Sequence, residues 1–123
     1  MRIRPERVAE TIKREMAEIL TRKMRDPRLG GMISVTEVEV TPDLSMARIF
    51  VSVLAEGAER DQVMQALARS EGFVRHELAP RLGLREMPTV RFVLDTSIER
   101  GARVEELLRR IADGEPIPDE DEP

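Results

Sequence analysis

Apolar residues recur at three- and four-residue steps from Val8 through Ile12, Met16, Ile19 and Leu20 to Met24, and Glu10, Lys13, Arg14, Glu18, Arg22 and Arg25 fill the other face. That spacing predicts an amphipathic helix. It starts near Pro5, because proline suits the first helical position. Asp26-Pro27 ends it, since the residue before a proline is pushed out of the α region. Arg28-Leu29-Gly30-Gly31 completes a turn. The pattern then changes to a β-branched run over residues 32–40, which predicts a strand. Ile33 and Val35 alternate out of phase with Val38 and Val40, so a bulge is expected near Thr36 or Glu37. Thr41-Pro42-Asp43-Leu44 makes the turn into a second strand. There Ala47, Ile49, Val51 and Val53 take one face and Arg48, Phe50 and Ser52 the other. The two strands predict an antiparallel hairpin.

Beyond Glu56-Gly57, Val63, Leu67, Val74, Leu78 and Leu82 hold helical spacing on both sides of Gly72. A glycine inside a helix costs roughly 1 kcal/mol relative to alanine. A helix that keeps its phase across one is bent there rather than ended. Two helices joined at a kink are therefore expected from about Glu59 to Leu82. Pro80 predicts loosening near residues 76–80, and Gly83 predicts the stop. Thr89 to Asp95 reads as a last strand, with Val90, Phe92 and Leu94 on one face. Ser97 to Ala112 reads as a last helix, with Val104, Leu107, Leu108 and Ile111 at helical spacing. The expected order is α-β-β-α-α-β-α, an α+β domain over residues 1–112. Acids and prolines dominate residues 113–123, a composition that predicts a disordered tail.

The formal net charge of −4 conceals an asymmetry. The tail holds six acids and no base, and the rest of the chain sums to +2. Residues 1–28 alone carry nine bases against five acids. Eighteen of the 20 bases are arginine, whose forked guanidinium matches phosphate. The candidate phosphate contacts are Arg4, Arg7, Arg25, Arg28, Arg69, Arg75, Arg81 and Arg85. Each also has a plainer reading as a solvated surface charge. Base stacking has little to draw on, with no Trp or Tyr and three Phe. Phe92 belongs with Val90 and Leu94 in the core, Phe73 is expected to pack beneath the kink, and Phe50 is the stacking candidate. Recognition should therefore rest on phosphate charge and shape.

The chain has no cysteine and one histidine, His76, which sits on a polar helix face. That excludes disulfides and thiolate metal sites. No phosphate-cradling glycine loop or Ser/His/Asp order stands out, so neither catalysis nor a cofactor is expected. No apolar stretch approaches a membrane span, and the N-terminus lacks a secretory pattern. A cytoplasmic protein is expected, and nothing in the sequence demands more than a monomer.

Several segments, in order, resemble the ribosome-binding factor A family. They are Arg7-Val8-Ala9, Arg25-Asp26-Pro27-Arg28-Leu29-Gly30, Thr36-Glu37-Val38-Glu39-Val40, Pro42-Asp43-Leu44, Ala47 to Val53, Gly72-Phe73-Val74-Arg75, and Arg91 to Asp95 followed by Ser97 and Gly101. The resemblance implies a type II KH-like fold with a kinked helix pair, a three-stranded mixed sheet and an extra C-terminal helix. It implies an Ala-x-Gly kink in place of the Gly-x-x-Gly loop of KH domains, here Ser70-Glu71-Gly72. Glu71 puts a carboxylate at that kink, where it is expected to repel phosphate. The implied function is non-catalytic. The protein would bind the immature small ribosomal subunit and its rRNA, support processing at the rRNA 5′ end, and leave with help from a ribosome-associated GTPase. A protein-interaction module and a small-ligand regulatory domain are the rival readings.

Overall fold

Pro5 opens α1 (Pro5–Glu18) in the computed structural model, which describes residues 3–24 and 32–114. Val8, Ile12 and Met16 bury the predicted stripe. The helix does not end as plain α-helix. A π turn over Ile19–Lys23, closed by Met24 N–H donating to Ile19 O, adds a residue to the last turn. Nothing in the apolar spacing predicts this. Arg25 to Gly31, where the first helix is expected to end and turn, and the tail from residue 115 lie outside the described residues.

The hairpin follows as β1 (Ile33–Val40) and β2 (Met46–Val53), paired antiparallel. The expected bulge is present between Val35 and Glu37. It puts Val35 opposite Val51 and Val38 opposite Ile49, so both halves of β1 face the core. At the turn, Asp43 Oδ1 accepts from the Thr41 hydroxyl, the Ser45 hydroxyl and Ser45 N–H. These donors hold Leu44 at φ 60°, a left-handed conformation unusual for leucine.

A pair of helices, α2 (Gly57–Arg69) and α3 (Glu71–Leu82), carries the chain to β3 (Thr89–Leu94). β3 lies parallel to β2, giving sheet order β1-β2-β3. A parallel neighbour needs such a crossover. The crossover and α1 cover one sheet face, where Ile12, Met16, Ile49, Val51, Leu67, Val74, Leu78 and Val90 form the core. α3 does not loosen at residues 76–80 as expected. Pro80 lies in its last turn, and Gly83 closes the helix at φ 62° with its N–H on Ala79 O. Pro80 and His76 are both exposed, so the His76 carbonyl that loses its partner is open to water. The observed architecture is the expected α+β arrangement, completed by α4 (Ser97–Ala112). α4 buries none of its residues; Val104, Leu108 and Ile111 are all exposed.

Candidate nucleic-acid interface

The two crossover helices abut at Ser70 with no loop between them. Ser70 N–H donates to Ala66 O and Leu67 O, its hydroxyl returns to Ala66 O at 2.9 Å, and its own carbonyl accepts from Val74 N–H. One residue thus ends α2 and starts α3. The turning point is Ser70 rather than Gly72, which sits in the first turn of α3. A Cβ built on Gly72 would meet nothing within 4 Å. No packing demand from the described residues explains the glycine. Its effect is a bare stretch of backbone at the surface.

Glu71 does not confront solvent as a lone carboxylate. Its Oε1 accepts from Arg91 Nη1 at 3.0 Å, and its Oε2 accepts from Phe92 backbone N–H at 2.9 Å. The side chain is 17% exposed. The expected repulsion is thereby offset at its source by a guanidinium. Phe73 departs from expectation. It is 41% exposed rather than packed beneath the kink, because Val74 and Leu78 supply the buried face of α3. Phe50 lies on the solvent side of the sheet, between Glu37 and Val93 in register, and is half-buried.

The candidate arginines divide by what they touch. Arg75 donates from Nε to Pro88 O and from Nη2 to Met87 O, stapling α3 to the segment before β3. Arg81 Nη1 reaches Glu15 Oε2 at 2.7 Å and Glu18 Oε2 at 3.1 Å, tying α3 to α1. The Glu15 bond, with Glu18 behind it, raises the Arg81 pKa further above its ordinary value. Both guanidiniums are engaged within the fold. Arg4, Arg7, Arg69 and Arg85 are exposed, and their guanidiniums have no ion-pair partner among the described residues. Arg69 ends α2 beside the kink. Arg85 lines a groove of about 440 Å³ with Leu84, Met87, the hairpin turn and Ile3, the residue before Arg4. Arg25 and Arg28 lie outside the described residues.

Two arginines escaped the sequence reading. Arg48 and Arg91 are register neighbours on the outer sheet face, with Glu39 opposite Arg48 and Glu71 on Arg91. Only the strand pairing reveals the row. Among the described residues, no group of three His, Cys, Asp or Glu could hold a metal ion, and no helix is long and apolar enough to cross a membrane.

A family model described as ribosome-binding factor A matches residues 4–108. The protein of that name from Desulforamulus reducens is 44% identical over 115 residues, covering 94% of this chain and 95% of its own. The one from Synechococcus sp. strain JA-2-3B'a(2-13) is 49% identical over 106 residues, covering 85% and 74%. Among solved structures, the crystal structure of ribosome-binding factor A from Thermus thermophilus superposes with a TM-score of 0.65 at 26% identity, over 75% of this chain and 97% of that one. A Thermus thermophilus homology model of the factor, fitted into a cryo-EM map of its complex with the 30S subunit, gives a TM-score of 0.57 at 26% identity, over 72% and 91%. With a family model spanning nearly all of its folded body and relatives this similar over most of their length, the chain belongs to the ribosome-binding factor A family.

Proposed function

We propose that this chain binds the immature small ribosomal subunit late in its assembly, supports processing at the 5′ end of the rRNA, and departs with the help of a ribosome-associated GTPase. The family is one of non-catalytic small-subunit assembly factors. The observation that carries the reading is the family match over residues 4–108. The kink supports it locally, with bare backbone at Gly72, an exposed ring at Phe73 and an exposed guanidinium at Arg69. Arg4, Arg7 and Arg85 supply further phosphate contacts at the hairpin-turn end, and Arg25 and Arg28 belong to the same proposal. Arg75 and Arg81 hold the surface in shape.

Co-sedimentation tests this, with purified protein added to immature and mature subunits from a strain that lacks it. Binding should favour the immature particle and weaken with salt, with a log–log slope of about −0.7 for each single-stranded phosphate neutralised. Equal absence from both particles would falsify the assembly role.

One observation favours a protein contact as well. α4 leaves Val104, Leu108 and Ile111 exposed along one stripe. In that reading α4 grips a protein of the subunit. Removing α4 would then weaken subunit binding while leaving affinity for naked rRNA unchanged.

A further inference from the structure

The carboxylate of Glu71 rests where two donors converge on the open edge of the sheet. Among the described residues β3 pairs with β2 alone, so the Phe92 N–H that meets Glu71 Oε2 points away from the ladder. Arg91 Nη1 meets the other oxygen. Neither donor needs the carboxylate for burial. Arg91 is 57% exposed, and an N–H on an open edge is within reach of water. A guanidinium beside a backbone N–H, aimed at two oxygens of one anion, is equally suited to the two terminal oxygens of a phosphodiester. The surroundings fit a nucleotide chain, with no side chain at Gly72, an exposed Phe73, and an exposed Arg69 that has no ion-pair partner among the described residues. Electrostatics point the same way. Arg91 sits beside Arg48 in register, and like charges so placed repel unless an anion lies nearby. In the free protein Glu39 lies across from Arg48, and Glu71 provides the anion on the Arg91 side.

We infer that Arg91 and the Phe92 N–H form a receptor for one phosphodiester of rRNA, and that Glu71 occupies it as a displaceable internal stand-in. This rests on the RNA-binding reading above and adds a gate to it. When RNA arrives, Glu71 swings out, and Arg91 exchanges a carboxylate for a phosphate. The contact makes binding conditional, because a weak or misplaced phosphate does not evict the carboxylate.

The test uses the full chain and immature small subunits, with affinity measured over a salt series. Glu71→Gln should bind at least about threefold more tightly, with a log–log salt slope steeper by about 0.7. Arg91→Ala, at an exposed position that leaves the core untouched, should weaken wild-type binding and flatten the slope by a similar amount. The double variant should lose the gain of Glu71→Gln. An unchanged slope in both single variants overturns the inference. So does a Glu71→Gln protein that melts like wild type yet binds as poorly as Arg91→Ala. The RNA-binding reading fails separately, if Arg69→Ala and Arg85→Ala also leave affinity untouched.

Discussion

Thr36 Oγ1 donates a 2.6 Å hydrogen bond to Asp95 Oδ2, joining residues 59 apart in sequence across the middle strand. Thr36 is the extra residue of the β1 bulge, and its hydroxyl also lies 3.3 Å from Phe50 O on β2. Asp95 follows β3 and accepts Ser97 N–H through its other oxygen, which starts α4. A single carboxylate therefore fastens both outer strands and the last helix. The bulge serves more than phase. It lifts one polar side chain to where it can bridge β2.

That bridge makes stability sensitive to acid. The Thr36 hydroxyl, with Ser97 behind it, lowers the Asp95 pKa from 3.8 to about 2. Ser45 and Thr41 do the same for Asp43 at the hairpin turn. A carboxylate whose pKa is lower when folded stabilises the fold above its unfolded pKa, and that contribution disappears as pH falls through the folded one. The urea midpoint should therefore be flat from about pH 7 to 5 and fall between about pH 4 and pH 2. Asp95→Asn should start lower at neutral pH and fall less on acidification, and Thr36→Val should behave similarly. An Asp95→Asn protein with the wild-type acid profile would refute the assignment.

The arginines should separate in a stability-versus-affinity comparison. Arg75→Ala removes two bonds to backbone carbonyls, at a cost of about 1 kcal/mol, and Arg81→Ala unties α3 from α1. Both should lower the melting temperature and leave the salt slope of subunit binding nearly unchanged. Arg69→Ala and Arg85→Ala should melt like wild type and flatten the slope. Thermal melts paired with salt-series binding measure both effects. A melting temperature for Arg81→Ala equal to that of wild type would contradict the structural role.

Sequence pattern revealed the strands, the bulge and the kinked pair because each leaves a local trace. Ile33 and Val35 fall out of phase with Val38 and Val40, and the helical spacing of Leu67, Val74, Leu78 and Leu82 survives the glycine among them. Long-range partners leave no such trace. Arg81 finds Glu15 66 positions away, and Glu71 finds Arg91 20 positions away. Nothing in the composition of either neighbourhood specifies those meetings. Helical spacing also could not tell which apolar stripe would be covered. Val104, Leu108 and Ile111 repeat as regularly as Val8, Ile12 and Met16, yet only the α1 set is buried.

That contrast predicts unequal contributions to the fold. Ile12 and Leu78 are fully buried, so alanine at either should cost about 3 kcal/mol. Deleting residues 98–123, which keeps the Ser97 N–H on Asp95, removes no buried side chain among the described residues. The ion pair between Arg60 and Glu99 is lost, worth at most about 1 kcal/mol at a surface. The truncated protein should therefore unfold within about 1 kcal/mol of wild type. Helices near this length are marginal alone in water. The α4 amides should thus exchange with solvent faster than those of α1 and α2. Slow exchange along α4 in the isolated protein would mean that its stripe is covered.

Gly72 offers the sharpest opposition between folding and binding. No described residue crowds it, and it lies in a helix, where alanine is preferred. Gly72→Ala should therefore stabilise the protein by about 0.5–1 kcal/mol. If rRNA backbone approaches the kink closely, the added methyl stands in its path, and subunit affinity should fall while stability rises. Phe73→Ala supplies the complement. The ring is substantially exposed, so its removal should barely move the melting temperature. Loss of a stacked base would cost about 1–3 kcal/mol of binding. A Gly72→Ala protein that is both more stable and equally tight on the subunit would show that the bare backbone faces solvent in the complex, and would shift the contact surface toward the hairpin-turn end, where Arg4 and Arg85 lie.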